Sequence, residues 1–152
     1  MELQEAIKRR RSVRRYSNQQ VTRDEINQLI NAGLKVPSAG GIRPLKIVVI
    51  DDVNVKKELC KACLNQSAVE NAQVCLVIMA DTSRMVSKYH GRGMRYIYME
   101  AGHAGQNISL TAVELGLGCV MIGAFRDEEV KKVVGVEGEP LYVIPIGKID
   151  AV

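Results

Sequence analysis

At 152 residues, with 47% hydrophobic and 25% charged residues, the chain has the composition of one globular domain with a single core. No apolar run reaches the length of a membrane span, and an aromatic content of 4% without tryptophan argues against a binder that stacks successive nucleic-acid bases on rings. The net charge of +4 is local: six basic residues stand in KRRRSVRRY, residues 8–16, and the rest of the chain carries −2.

The N-terminus has neither the apolar stretch nor the small-residue cleavage site of a secretory signal, so a cytoplasmic protein is expected. ELQEAIKRR, residues 2–10, predicts a first helix running into the basic segment. There Ser12 is a hydroxyl flanked by guanidinium groups, a set of forked donors and short-range hydrogen bonds suited to a phosphate monoester. A protein coating nucleic acid spreads its basic residues over a face or several segments, whereas this concentration points to one anion. A solvated face at a helix end, where cations complement the helix dipole, is the competing explanation.

VTRDEINQLINAGLKV, residues 21–36, predicts a second helix, with Ile26, Leu29, Ile30 and Leu34 at helical spacing and Thr22 and Glu25 in a capping-box pattern. PSAGGIRP, residues 37–44, is a loop whose small side chains would let backbone groups approach a flat ligand. LKIVVIDD predicts a short buried strand, NVKKELCKACL a helix, NQSAVENA a turn or short helix, and VCLVIMA a second buried strand.

From Met94 to Leu117 the pattern is that of one long central helix, apolar on more than one side, in which Ala101, Gly102, Ala104 and Gly105 would admit a close backbone neighbour. GCVMIGAF follows as strand or extended chain, RDEEVKKVVG as a short amphipathic helix and PLYVIPIGKI as the last strand. Helices alternating with short apolar strands imply an α+β, layered α/β arrangement over residues 1–152 as a single domain, a sheet flanked by helices.

Other patterns carry less chemistry. The glycines of LGLGCVMIG close a helix instead of opening one after a strand, so Gly116 or Gly118 reads as a C-cap and not as a dinucleotide fingerprint. Cys60 and Cys63 form a Cys-x-x-Cys inside a predicted helix with no second ligand pair, which points away from zinc or redox work. Disulfides are not expected of the four cysteines, two of which lie in apolar runs. His103, three residues after Glu100 on one helical face, reads as structural or interfacial. No metal site is expected.

Taken in order, RRSVRRY, PSAGGIRP, the late helix running into LGLGCVMIGAF and the terminal PIGK strand resemble the motifs of the nitroreductase family of FMN-dependent oxidoreductases over nearly the whole chain. EAGHAGQN with LGLG and GAF is also similar to the branch of azoline-oxidising dehydrogenases. The resemblance implies a nitroreductase-like fold with a central, mostly antiparallel sheet. It also implies a homodimer with FMN at the interface and both subunits lining the site.

By motif position, Arg10, Arg11 and Ser12 would hold the FMN phosphate and ribityl end, and Arg14 the pyrimidine edge. Pro37, Ser38, Ala39 and Gly40 would touch the ring, Gln66 would bond the pyrimidine, and Met121, Ile122 and Gly123 would cover the other side with a backbone N–H near N5. No catalytic side chain is nominated, because the flavin carries the hydride. The implied reaction is ping-pong transfer from NAD(P)H to a nitro, quinone or related small-molecule acceptor, with no nucleic-acid or membrane partner.

The sequence departs from the family pattern in three places. Gly41, Arg43 and Leu45 stand where Asn, Gln and Trp are usual, leaving Arg43 as the polar substitute. Lys148 is the candidate for the basic residue that chain beyond the last strand supplies in many members. The segment DTSRMVSKYHGRG is short where larger relatives insert helices over the site, which implies wide access. A non-catalytic flavin carrier and a nucleic-acid-binding module using the Arg-rich segment are the alternatives, with a thiol or metal protein using Cys60 and Cys63 as the further rival.

Overall fold

Thr22 and Glu25 form the capping box that the sequence spells. Thr22 Oγ1 accepts from the Glu25 N–H at 3.1 Å and Glu25 Oε2 accepts from the Thr22 N–H at 2.9 Å. Two donors at the start of the helix are thereby satisfied. The computed structural model describes residues 1–150. In chain order the elements are α1 (Leu3–Arg9), α2 (Arg23–Leu34), β1 (Leu45–Ile50), α3 (Val53–Ala62), α4 (Ser67–Asn71), β2 (Val74–Ala80), α5 (Ser83–Tyr89), α6 (Gly93–Glu114), β3 (Leu117–Cys119), α7 (Asp127–Val134) and β4 (Glu139–Lys148).

The strands form one sheet in the order β1-β2-β4-β3, every pair antiparallel. β2 is buried along its whole length, and its side chains divide by the two-residue period of a strand. Cys75, Val77 and Met79 join Leu59, Val69 and Val130 in a core under α3, α4 and α7. Val74, Leu76 and Ile78 join Leu29, Ala104 and Ile108 in a second core under α2 and α6. Both faces of the sheet are therefore covered, which is the α+β layering expected.

β1 corrects one expectation. It is an edge strand paired only with β2, so most of its side chains are half-buried and Lys46 is exposed. Gly116 closes α6 with a left-handed φ of 71°, as a C-cap requires, while Gly118 lies inside β3. The stretch between β2 and α6 holds the unanticipated short helix α5. α6 buries Ile97, Ala101, Ala104 and Ile108 and leaves Tyr98 and Met99 open to solvent. Among the described residues no helix is long and apolar enough to cross a membrane.

Candidate functional site

The basic segment is fastened directly onto the β3–β4 edge. Val13 N–H donates to the Cys119 carbonyl at 2.9 Å, and Ser17 N–H to that of Lys148 at 2.8 Å. Ser12 pairs with Cys119 as an isolated parallel bridge. Two glycines make this approach possible. A Cβ on Gly118 would stand 2.6 Å from Val13 Cγ1, and one on Gly147 would stand 2.7 Å from Cβ and Cγ of Tyr16. The Tyr16 hydroxyl donates to the Val13 carbonyl at 2.7 Å, closing the turn, and burial pushes its pKa up.

With Val13 and Tyr16 turned inward, Arg10, Arg11, Ser12, Arg14 and Arg15 are left exposed. Arg9 pairs with Glu5 one helical turn away. Among the described residues no carboxylate pairs with Arg10, Arg11, Arg14 or Arg15. Four exposed arginines without a protein counter-charge thus flank Ser12 along a backbone held to the sheet, a concentration of positive charge that attracts an anion.

From Cys119 the chain continues along β4. Cys119 faces Ile146 and Ile122 faces Val143, three residues on each strand, so the segment is extended. At the rise of a β-strand, Ser12 and Ile122 are separated along the edge by about 10 Å. Met121, Ile122 and Gly123 therefore lie beside the basic segment, with room for an elongated ligand having an anion at one end and a flat body at the other. Gln66 joins them from the next loop: its Nε2 donates to the carbonyls of Cys63 (2.8 Å) and Ala124 (2.9 Å). That leaves its side-chain oxygen to accept from a ligand N–H.

Pro37, Ser38, Ala39 and Gly40 are placed elsewhere. Leu45, just after their loop, pairs with Ala80, which pairs with Glu139, whereas the Arg segment sits at the Lys148 end of β4 and beyond the opposite edge strand. Nine residues of strand and three strand spacings give roughly 30 Å between those sheet corners. The loop leads into the far corner, so Pro37–Gly40 lie toward the β1 end and not beside the Arg segment. Arg43, the suggested polar substitute, turns back on the helix: its Nη1 donates to the carbonyls of Leu34 (3.1 Å) and Val36 (3.0 Å), while its N–H donates to Ser38 Oγ. Lys148 lies near the Arg segment, but its ammonium is paired with Glu25.

The thiols have no nucleophilic setting. All four cysteines are buried and free, and burial pushes Cys63 and Cys75 up to about 12, so the thiolate that metal binding or exchange requires is suppressed. No group of three or more potential ligand side chains is placed to hold a metal ion among the described residues. In a cleft of about 730 Å³ between Lys46 and α7, Lys131 pairs with Glu128 and Glu139 and Lys46 donates to the Glu137 carbonyl, while Lys132 and the Glu137 carboxylate have no ion pair among the described residues. Tyr16, Gly118 and Gly147, the parts that hold the basic segment in place, are absent from the sequence-derived site. Their only signal was glycine inside strand patterns, which marks close approach of another backbone or group.

The model of the nitroreductase family matches residues 7–70 and 61–148 of the chain. A protein of Methanocaldococcus jannaschii described as a nitroreductase is 34% identical over 181 aligned positions, covering 97% of this chain and 91% of its own length. One of Archaeoglobus fulgidus, described as an NADH dehydrogenase/NAD(P)H nitroreductase, is 30% identical and covers 89% and 75%. Among solved structures, nitroreductase A of Vibrio parahaemolyticus superposes with a TM-score of 0.87 at 26% identity, over 99% of this chain and 69% of that one. The NADPH:FMN oxidoreductase of Vibrio harveyi, solved with NAD+, gives 0.87 at 26%, over 98% and 69%.

Proposed function

Since the chain belongs to the nitroreductase family of oxidoreductases, we propose that it is an FMN-dependent enzyme that takes a hydride from NAD(P)H and passes it, in ping-pong order, to a nitro, quinone or related acceptor. The observation that carries this reading is the run of uncompensated arginines flanking Ser12, on a backbone held beside the extended chain of Met121–Gly123. FMN, when bound, supplies a ring that accepts and then donates a hydride at N5.

The residues have separate tasks. Arg10, Arg11 and Ser12 bind the phosphate through charge-assisted hydrogen bonds. Arg14 places a cation at the pyrimidine edge, where it favours negative charge on the ring and so tunes its potential. Gln66 offers its side-chain oxygen to the pyrimidine N–H, and Met121, Ile122 and Gly123 support the ring along their backbone. Lys148 lies at the same end of the sheet, but its charge is met by Glu25, so it would serve the phosphate only by sharing its donors with that carboxylate.

Pro37, Ser38, Ala39 and Gly40 meet this flavin from a second copy of the chain, which makes the working unit a homodimer. That arrangement is supported by the loop's position toward the β1 corner, away from its own chain's Arg segment on β3.

Purified protein should be yellow. Replacing Arg10 and Ser12 by Ala should weaken FMN binding at least tenfold, whereas neutralising Lys8, Arg9 and Arg15 should change it little, as read by fluorescence titration of the apoprotein. A colourless protein that fails to take up FMN would sink the proposal, and flavin-independent binding to DNA that weakens steeply with salt would favour the nucleic-acid alternative.

A further inference from the structure

A second basic stretch lies far along the chain from the first. From Thr82 to Met99 the sequence carries Arg84, Lys88, Arg92 and Arg95 and no Asp or Glu. None of these four has an ion pair among the described residues. Arg84, Ser87 and Lys88 stand at helical spacing on one face of α5, and all three are exposed. They line a cleft of about 490 Å³ with Gly40, Ile42 and Ser83, in which Ile42 is the one apolar side chain.

Gly40 brings its loop up to that face. Its φ of 60° is the left-handed conformation that glycine tolerates, and a Cβ there would stand 2.7 Å from both Lys88 Nζ and the Tyr89 hydroxyl. Two donors are therefore held against the loop where a side chain would displace them. Tyr89 is fixed edge-on to Tyr96 of α6, with ring centroids 5.1 Å apart, and the Lys88 ammonium lies 5.4 Å from the Tyr89 centroid. Asp81 is the counter-charge at the rim. Hydrogen bonds from Ser83 chiefly hold its carboxyl below its ordinary value, with Lys46 and Arg84 adding to the effect. It takes the Ser83 hydroxyl at 2.8 Å but forms no ion pair with Arg84, so the Arg84, Ser87 and Lys88 donors are left to the cleft.

The geometry points to this cleft as a site for a phosphate monoester, the 2′-phosphate that distinguishes NADPH from NADH, so that Arg84 and Lys88 set the choice of hydride donor. Two cations and a hydroxyl match a dianion with three acceptor oxygens, and the planar guanidinium fork suits an oxyanion of that kind. The assignment to the donor rests on the flavin reading, because Gly40 belongs both to the loop proposed to meet the flavin of a second copy and to the cleft. A dinucleotide with its nicotinamide on that ring extends past the loop toward α5.

Calorimetry on the FMN-loaded protein tests the site with adenosine 2′,5′-bisphosphate and adenosine 5′-monophosphate, which differ only in the 2′-phosphate. The bisphosphate should bind about tenfold more tightly. That advantage should disappear in Arg84→Ala and in Lys88→Ala and persist in Lys57→Ala, which removes an exposed charge from α3. In turnover, kcat/KM should favour NADPH over NADH by a similar factor, and both variants of α5 should lose the preference through KM for NADPH while their FMN content holds. Equal affinity for the two nucleotides in the parent, or an advantage that survives both substitutions, would overturn the site. Equal losses with NADPH and NADH would place the shared pyrophosphate there and overturn the 2′-phosphate assignment. A protein that holds no flavin would overturn the flavin reading and the donor assignment with it, while the calorimetric comparison would still decide whether the cleft takes a phosphate monoester.

Discussion

Gly147 and Gly118 set how closely the basic segment can lie on the sheet. Each replaces a side chain by the body of another residue, Tyr16 over the first and Val13 over the second. Gly147→Ala would force a methyl into a gap of 2.7 Å against Cβ and Cγ of Tyr16, atoms near the backbone that cannot swing aside. Overpacking of this kind costs about 1–3 kcal/mol, so the fold should survive. The segment carrying Arg14 and Arg15 should lift, and FMN affinity should fall. Urea unfolding together with FMN titration checks both parts; unchanged affinity would show that the platform does not position the arginines. The arginines themselves were legible as a cluster, but their anchors were not. Tyr16 and Gly147 are 131 positions apart, and no local periodicity joins residues so distant in sequence.

At the scale of elements, α2 is tied to the end of β4 through Glu25, which serves both its own capping box and the Lys148 ammonium. Partial burial of Glu25 would raise its pKa, but the hydrogen bonds from Lys148 and Thr22 outweigh it and hold the carboxyl below its ordinary value of 4.5. A depressed folded-state pKa means stability that is present above the ordinary value and lost as pH falls through the folded one. Glu25→Gln keeps an acceptor for the Thr22 N–H but removes the charge. It should cost about 1 kcal/mol near neutrality and progressively less as the parent is titrated below pH 4.5. Denaturation midpoints across that range test it, and a constant difference would disprove the ionic contribution. The capping box was readable because its two residues are three apart. The depth of β1 was not, since LKIVVI is equally apolar in a central or an edge strand and only the strand order decides. α5 escaped because, of its seven residues, Met85 alone is buried, which leaves almost no amphipathic signal.

For the whole molecule, the nitroreductase-like fold was legible from four separated motifs in order, and the resemblance implied a site lined by both subunits; which residues each subunit would contribute was not legible, because that depends on where the sheet places its corners. The Arg segment lies on β3 at the Lys148 end of the sheet, whereas Pro37–Gly40 lead into β1 at the other edge, whose corner is roughly 30 Å away by strand geometry. A second chain related by a two-fold axis would bring one of each together at two equivalent sites. α6 has a face for that contact. Gly102 costs the helix about 1 kcal/mol relative to Ala, yet among the described residues nothing beyond its own turn of helix lies within 4 Å of its Cβ position, and Met99 beside it is 54% exposed. Intrachain packing gives Gly102 no role, while a close helix neighbour from another copy would. Gly102→Arg should therefore leave far-UV circular dichroism unchanged, convert the protein to monomer in sedimentation velocity and weaken FMN binding by at least tenfold. A monomeric variant that binds FMN as tightly as the parent would show that the Arg segment and Met121–Gly123 suffice alone, and that the loop Pro37–Gly40 serves something other than the flavin.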